Sequence, residues 1–496
     1  MLTKLWKGLT GPSDIWCSKR PISLLQHWPN TRYRIGHTIV PGTKVPVGTL
    51  LYHGALTGPH LLTALEWVSV EPDHSIVFCQ GPIETGCWHL TLKVTRPMKV
   101  LYFDGTSGAK IPEGTMDTQD LVVWSKMNPE WVGNEGKHIM DLCKWGQKSG
   151  VNGFLSEVMI CDFTSHMEVV SFLNLESTRI GYSSPADLPE DLNNGLIYSR
   201  TSVHHVFEIM HSASWHEMYP GETRIMLDFS GLVSFYDTTL VPSLVPRCVG
   251  LDRWDHRVEG ISSEDIERVQ DRLAQALIRP PVTTSGIDWK TVLRVVMMQY
   301  LVNMTLDDRS IFRHAQQVQR RLRTVLLPYT VFAALPPNTS VTANATNSWA
   351  APIFQECAIL HTTSIAHGTT LMPSERLLLE AVRETTREIC RVITKMWVSG
   401  MMTGVDPLYP REQHPKADHI HTLMGEWKED VTQLMSWLDW SVWEMCYLPT
   451  WPFGFPGAEP PFQVQWDSAS LWPDPNKGEW KRPQPKCIRR LEPYGL

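Results

Sequence analysis

Residues 98–124, MKVLYFDGTSGAKIPEGTMDTQDLVVW, run from an apolar strand through a turn into a cluster of acids. MKVLYF is a short β-rich run closed by Asp104-Gly105, and the chain returns to acid at Asp117 and Asp120. Outward from it, GTLLYHG, SIVFCQG, CWHLTLKV and MEVVSFLNL are further β-rich runs between about 45 and 175, separated by Gly, Pro and Asp. EGKHIMDLCKWGQKSG sets Ile139, Leu142, Cys143 and Trp145 at helical spacing and stops at Gly150, which predicts a helix crossing before VNGFLSEVMICDF. Strands and a crossing helix together predict an α+β unit.

Beyond about 260 the period changes. SSEDIERVQDRLAQAL opens a helix with Ser262 or Ser263 as N-cap and acids in its first turn. DWKTVLRVVMMQYLVNMTL, RHAQQVQRRLRTVLL, SERLLLEAVRETTREICRVITKMWVSGM and HTLMGEWKEDVTQLMSWLDWSVWEM all carry the i, i+3, i+4 apolar rhythm. LPPNTSVTANATNS lacks that rhythm and reads as a loop, and PTWPFGFPGAEPPF begins a Pro/Trp-rich tail. The expected fold class is α+β: a strand-rich N-terminal sheet unit followed by a mainly helical C-terminal half. Its parts are an N-terminal extension over 1–45, an α+β catalytic domain over 46–260, a helical domain over 261–448 and a tail over 449–496.

The formal charge of −7 excludes nucleic-acid binding through the whole surface and leaves room for a local basic face. The 21 tryptophans point to large buried surfaces or stacking sites. Ten scattered cysteines without a C-x-x-C pair read as reduced thiols. The first residues lack an apolar h-region, and no run approaches the roughly 18 apolar residues of a membrane span. These features predict a cytoplasmic chain with no membrane partner, and the sequons at Asn303, Asn338 and Asn344 then read as accidental. The signatures of P-loop NTPases, Rossmann dehydrogenases, zinc proteases and α/β-hydrolases are missing, so neither a cofactor nor a metal is expected.

Five acids sit where strand ends would expose them: Asp104, Asp117, Asp120, Asp162 and Glu168. Taken singly, each reads as a turn cap. Taken together they suit a general base, a metal, or a guanidinium gripped in bidentate fashion. Tyr52 and His53 in LLYHG could orient a substrate and transfer a proton, or could be fixed at a sheet edge by backbone hydrogen bonds. GLDRWDHRVEG interleaves Arg253, Asp255, His256 and Arg257 around Trp254, the pattern of a salt-bridged latch or of a phosphate or ribose site. Arg383, Arg387, Arg391 and Lys395 recur every four residues, and Arg313, Arg320, Arg321 and Arg323 form a second cationic face. Either is a solvated face neutralised by acids such as Glu384 and Glu388, or, if the two adjoin, a cradle for an RNA backbone.

The segments LYHG, EPDHS, LYFDG-x-S-x-AK, GT-x-D-x-QDL, ICDF, LVSFYD-x-x-LVPSLV and RWDHR, spread over about 50–270, resemble a large fungal family of hypothetical proteins. Through them the chain resembles the fungal arginine-containing cyclodipeptide synthases. The resemblance implies a cofactor-free aminoacyltransferase of secondary metabolism that takes arginyl-tRNA and a second aminoacyl-tRNA and releases a cyclic dipeptide, a diketopiperazine. Such a reaction needs no ATP site, because the ester is already activated. On that reading Asp104, Glu168 and His53 are catalytic, with Asp104 or Glu168 taking a proton from the attacking amine. Tyr52, Asp117, Asp120 and Asp162 hold the substrate, the three aspartates clasping its arginine side chain. Arg383, Arg387, Arg391, Lys395, Arg320 and Arg321 hold the tRNA. Two alternatives stay open. In an ADP-ribosyltransferase-like, NAD-using enzyme, His53 and Glu168 would be the central pair with Tyr52 beside them. The other is a non-catalytic protein-interaction scaffold.

Overall fold

The structure, a computed structural model, describes residues 37–55, 65–76, 86–104, 114–155, 158–163, 165–175, 224–249, 251, 255–279, 285–300, 311–330, 347–368, 370–409 and 415–438. These fall into two units. One comprises the described residues of 27–244 and 256–283, the other those of 245–255 and 284–443.

The first unit is ordered β1 Thr38–Val45, β2 Leu50–Ala55, β3 Glu66–Val68, α1 Pro72–Ile76, β4 Cys87–Val94, β5 Met98–Phe103, α2 Asp117–Trp124, α3 Glu135–Gln147, β6 Gly153–Leu155, β7 Val158–Ile160, β8 Met167–Leu175, β9 Val233–Ser234 and α4 Ser263–Ile278. A six-stranded sheet has the order β3-β7-β6-β5-β1-β9, and a three-stranded one the order β2-β4-β8. β5 pairs antiparallel with β1 and parallel with β6. A parallel neighbour requires a crossover, which α2 and α3 supply. Met98, Val100, Leu101, Tyr102 and Phe103 are all buried, so β5 lacks the alternation of a half-exposed strand. The sheets meet at Tyr52 and Ser69, which exchange backbone hydrogen bonds of 2.8 and 2.7 Å and so carry the chain after β3 alongside β2.

β1 lies inside the stretch expected to be an extension. Pro41 has no N–H to give to a ladder, yet the strand continues through it. The register runs Val40↔Tyr102 and then Thr43↔Val100, so the Pro-Gly pair is a bulge within one strand, with Gly42 at φ +82°. The SIVFCQG segment differs too: Ser75 and Ile76 end α1, started by Pro72, and the rest of that segment lies outside the described residues. Asp117 and Asp120, expected in a strand-end loop, occupy the first turn of α2, where the helix dipole favours acids.

Ser262 caps α4, accepting from Asp265 N at 3.2 Å. This helix, expected to open the helical domain, instead packs on β1, β9 and α2 through Ile266, Val269, Leu273 and Leu277. Gln270 Nε2 donates to Leu121 O at 2.9 Å and so satisfies a carbonyl at the end of α2.

The second unit contains α5 Trp289–Tyr300, α6 Ile311–Leu326, α7 Ala351–Gly368, α8 Pro373–Thr403 and α9 Ala417–Leu438. The sheet-rich N-terminal region followed by a mainly helical half is the α+β class expected. α8 is the axis on which the other four pack. Glu375 Oε2 accepts from Met372 N at 2.9 Å at its start, and Gly404 ends it at φ +83°. α7 was not anticipated, because its apolar residues are not confined to one side: Ile353 and Cys357 are buried while Ile359 and Leu360 are exposed.

The expectation of reduced thiols is corrected. Cys143 in α3 is bonded to Cys161 just after β7, and Cys357 in α7 to Cys390 in α8. No cysteine among the described residues is free. Packing of α3 on β6 and of α7 on α8 brings the Cα atoms to 5.5 and 5.9 Å, within the span a disulfide bridges. Closing loops of this size stabilises a fold by about 3 kcal/mol each. Among the described residues no helix is long and apolar enough to cross a membrane. The three sequons, Arg253, Trp254 and the tail 449–496 lie outside the described residues.

Gly153 leaves no room for a side chain, since a Cβ there would stand 2.5 Å from Met159 O across the β6–β7 pair. Gly153→Ala is expected to lower stability by about 1–3 kcal/mol through overpacking, read as a lower urea midpoint. An unchanged midpoint would refute the close approach.

Candidate functional site

Asp104 terminates β5, and its Oδ1 accepts from His37 N at 2.6 Å and Thr38 N at 2.7 Å, so the carboxylate pins the start of β1. Thr38 Oγ1 lies 3.1 Å from Ser234 Oγ, which in turn accepts from Tyr236 N. The His37 ring meets Tyr236 edge-on with centroids 4.0 Å apart, and Tyr236 OH donates to His256 O at 2.7 Å. The next residue, Arg257, grips Asp117 with both arms, Nε to Oδ2 at 3.0 Å and Nη2 to Oδ1 at 2.9 Å. Asp120 accepts from Asn128 N at 2.7 Å and faces His138 Nε2 at 3.1 Å. A run of largely buried polar groups thus joins Asp104 to Asp117, and Asp120, in the same helical turn as Asp117, is held separately by His138 and Asn128.

Each of those acids has partners from its own chain. Burial pushes the Asp117 carboxyl above the ordinary aspartate range, the Arg257 hydrogen bonds and charge pull it back, and the Asp120 charge adds to the rise. The guanidinium expected as a substrate group is that of Arg257. The clasp expected from Asp117, Asp120 and Asp162 is corrected accordingly: Asp117 is occupied by Arg257, Asp120 by His138 and Asn128, and Asp162 accepts from Ser165; Asp104, expected to take a proton, instead holds two main-chain amides. Of the two readings of the 250–260 segment, the latch is the one that describes Arg257.

Among the described residues, no hydrogen bond joins Asp162 or Glu168 to these groups. Asp162 accepts from Ser165 Oγ in the turn between β7 and β8. Glu168 on β8 pairs with Lys93 and is half exposed. His53 Nδ1–H donates to Trp67 O at 2.8 Å, the sheet-edge arrangement. His53 lies opposite Leu90 of β4 and Glu168 opposite Lys93, three residues along, so strand alternation turns them to opposite faces. Tyr52 shares the face of Glu168, not that of His53.

The cationic ridge of α8 is paired. Arg391 donates to Glu388 at 2.8 and 2.6 Å, Lys395 to Asp430 at 2.6 Å, Arg387 lies 3.6 Å from Glu384, and Arg383 Nε donates to Thr362 Oγ1. On α6, Arg323 is bound to Asp406 at 2.6 Å, while Arg320 is exposed and Arg321 half-buried. The neutralised-face reading accounts for the α8 cations.

A nucleophile–base geometry lies elsewhere, where the two sheets meet. Ser75 Oγ in α1 is 2.7 Å from His89 Nε2 on β4, both side chains buried, and Tyr52 stacks on the imidazole with centroids 5.8 Å apart. Glu71 and Arg224 form an ion pair, Arg224 also donates to Val70 O, and Glu71 N donates to Ser69 Oγ at 2.9 Å, which fixes the chain leading into α1. Ser75 Oγ also lies 2.7 Å from Pro72 O. One hydroxyl proton serves one acceptor at a time. Either Nε2–H donates to Oγ and the hydroxyl to Pro72 O, or a bare Nε2 accepts the hydroxyl proton. The second arrangement raises the nucleophilicity of Ser75. Ser75 and His89 were not singled out from sequence, since residues 14 apart on a helical turn and a strand form no local motif.

Residues 82–196 match the family described as the YPL277C N-terminal domain. Over 354 residues the chain is 23% identical to uncharacterized protein YOR389W of Saccharomyces cerevisiae, covering 56% of this chain and 55% of that protein. Over 355 residues it is 24% identical to uncharacterized protein YPL277C of the same yeast, covering 56% of this chain and 71% of that one. The matched region thus spans about half the length of YOR389W. No solved structure matches. Both relatives are uncharacterized fungal proteins, and their names carry no activity.

Arg257→Met would leave Asp117 buried without its counter-charge, an expected loss of about 3–5 kcal/mol. A carboxyl raised above its unfolded value stabilises most when protonated, so the deficit should shrink as pH falls from 7.5 to 5. The D117N/R257M double variant should regain most of the loss. Urea titrations at the two pH values check both outcomes, and a pH-independent deficit would contradict them.

Proposed function

We propose that the α+β unit is an acyl-transfer enzyme in which Ser75 receives the acyl group and His89 is its base. The observation that carries the reading is the 2.7 Å approach of a buried hydroxyl to a buried imidazole nitrogen held by Tyr52. In the first step Oγ attacks an ester or amide carbonyl while Nε2 takes its proton. The bond to the leaving group breaks, and Nε2–H protonates the departing oxygen or nitrogen. In the second step an amine or water attacks acyl-Ser75, His89 accepts its proton, and Oγ leaves with that proton. Cyclic dipeptide formation from aminoacyl-tRNA, the reaction the resemblance implies, is a transfer of this kind with an amine as second nucleophile. The pair itself specifies only an activated carbonyl.

Intact-mass analysis after treatment with a fluorophosphonate, followed by peptide mapping, tests the assignment. One adduct on Ser75 is expected, absent in Ser75→Ala and reduced at least about tenfold in His89→Gln, within the range of general-base contributions. Circular dichroism verifies that both variants keep the fold. Equal labelling of the wild type and Ser75→Ala rules the nucleophile out. Metabolite analysis of cells expressing the chain addresses the donor: an arginine-containing cyclic dipeptide lost in Ser75→Ala supports aminoacyl transfer, and one that survives places the chemistry on other residues.

A further inference from the structure

We infer that this chain forms its cross-links, and works, in an oxidising compartment rather than in the reducing cytosol. The inference stands independently of the acyl-transfer reading. Each of the two units carries a bridge joining separate elements, Cys143–Cys161 between α3 and the end of β7 and Cys357–Cys390 between α7 and α8. No cysteine among the described residues is free. Glutathione and thioredoxin keep such pairs reduced in the cytosol, while secreted and luminal proteins retain them.

Placement argues against a regulatory switch. Redox-sensing cysteines are exposed thiolates within reach of oxidant. Here Cys357, Cys390 and Cys143 are buried, the first two completely, and Cys161 is half-buried, so enclosure is most complete for Cys357–Cys390. Sulfurs so enclosed are oxidised while the chain is still folding, before the helices close over them. The chemistry is thiol–disulfide exchange: a thiolate of the chain attacks the disulfide of an oxidoreductase, and the second cysteine displaces that enzyme from the mixed disulfide. Two electrons pass to the oxidoreductase, which leaves as a dithiol, and the two thiol protons are released or taken up by it. The three sequons, expected to be accidental in a cytoplasmic chain, become addressable by glycosylation in that setting.

The test uses the full natural chain, tagged at its C-terminus and expressed from its own locus. Living cells are treated with a membrane-permeant alkylating agent before lysis, and the protein is purified without reductant and digested for mass spectrometry. The expected result is linked Cys143–Cys161 and Cys357–Cys390 peptides, with less than about a tenth of either pair alkylated, in a chain recovered from sealed vesicles or the medium. Alkylated thiols predominating at either pair, or a chain confined to the cytosolic fraction, overturns the inference. Fluorophosphonate labelling of Ser75 is read separately, so failure here leaves the acyl-transfer reading standing, and the converse.

Discussion

A carboxylate that gives up water must be met by donors, and the first unit is organised around meeting three of them. Asp104 receives the amides that begin β1, Asp117 the guanidinium of a residue 140 positions away, and Asp120 an imidazole from α3 and the Asn128 amide. Removing one partner of a buried charge costs far more than a surface ion pair contributes. Each acid therefore fixes where a distant stretch of chain must lie. Their pattern along the sequence looks like a ligand site because both uses require several carboxylates near strand ends. The partners decide between the two, and here the partners are internal.

Helix α3 links this network to the covalent frame. His138 on one turn faces Asp120, and Cys143 farther along is tied to Cys161 beyond β7. Within the crossover between parallel β5 and β6, α3 is thereby held twice, by a hydrogen bond to α2 and by a covalent bond to the chain just after β7. Ser75 and His89 sit at the other side of the unit's logic, where β3 leaves one sheet and touches the other. Two acceptors compete there for one hydroxyl proton, and the imidazole tautomer sets the winner.

Much of the architecture was legible because its causes are local. β2, β4, β5 and β8 carry β-rich runs, and α3 and α4 carry periodic apolar stripes with a polar cap. β1 is not legible because Pro41-Gly42 interrupts its β-rich run, α2 because it is short and half polar with only Leu121, Val122, Val123 and Trp124 apolar, and α7 because its apolar residues are not confined to one side. That Asp104, Asp117 and Asp120 belong together could be read from their positions. That Arg257 answers Asp117 could not, since charge does not encode which distant residue it meets. His53 and Glu168 look like a pair in one dimension, and only the strand register, itself a long-range property, separates them by a face. Ser75 and His89 are brought together by the turn at Pro72 and the pairing of β2 with β4, neither of which leaves a spacing signature.

The extra residue in β1 works like a change of reading frame. Before it, Val40 matches Tyr102; after it, Thr43 matches Val100, three steps on one strand against two on the other. Side chains on the two segments therefore follow independent alternations, each set by its own neighbours. Losing one residue at Pro41-Gly42 would merge the frames and rotate either the segment bearing Thr38 or the one bearing Val45 to the wrong side. A gap of a single codon at this point would thus be far more disruptive to the lineage than a longer insertion in a surface loop.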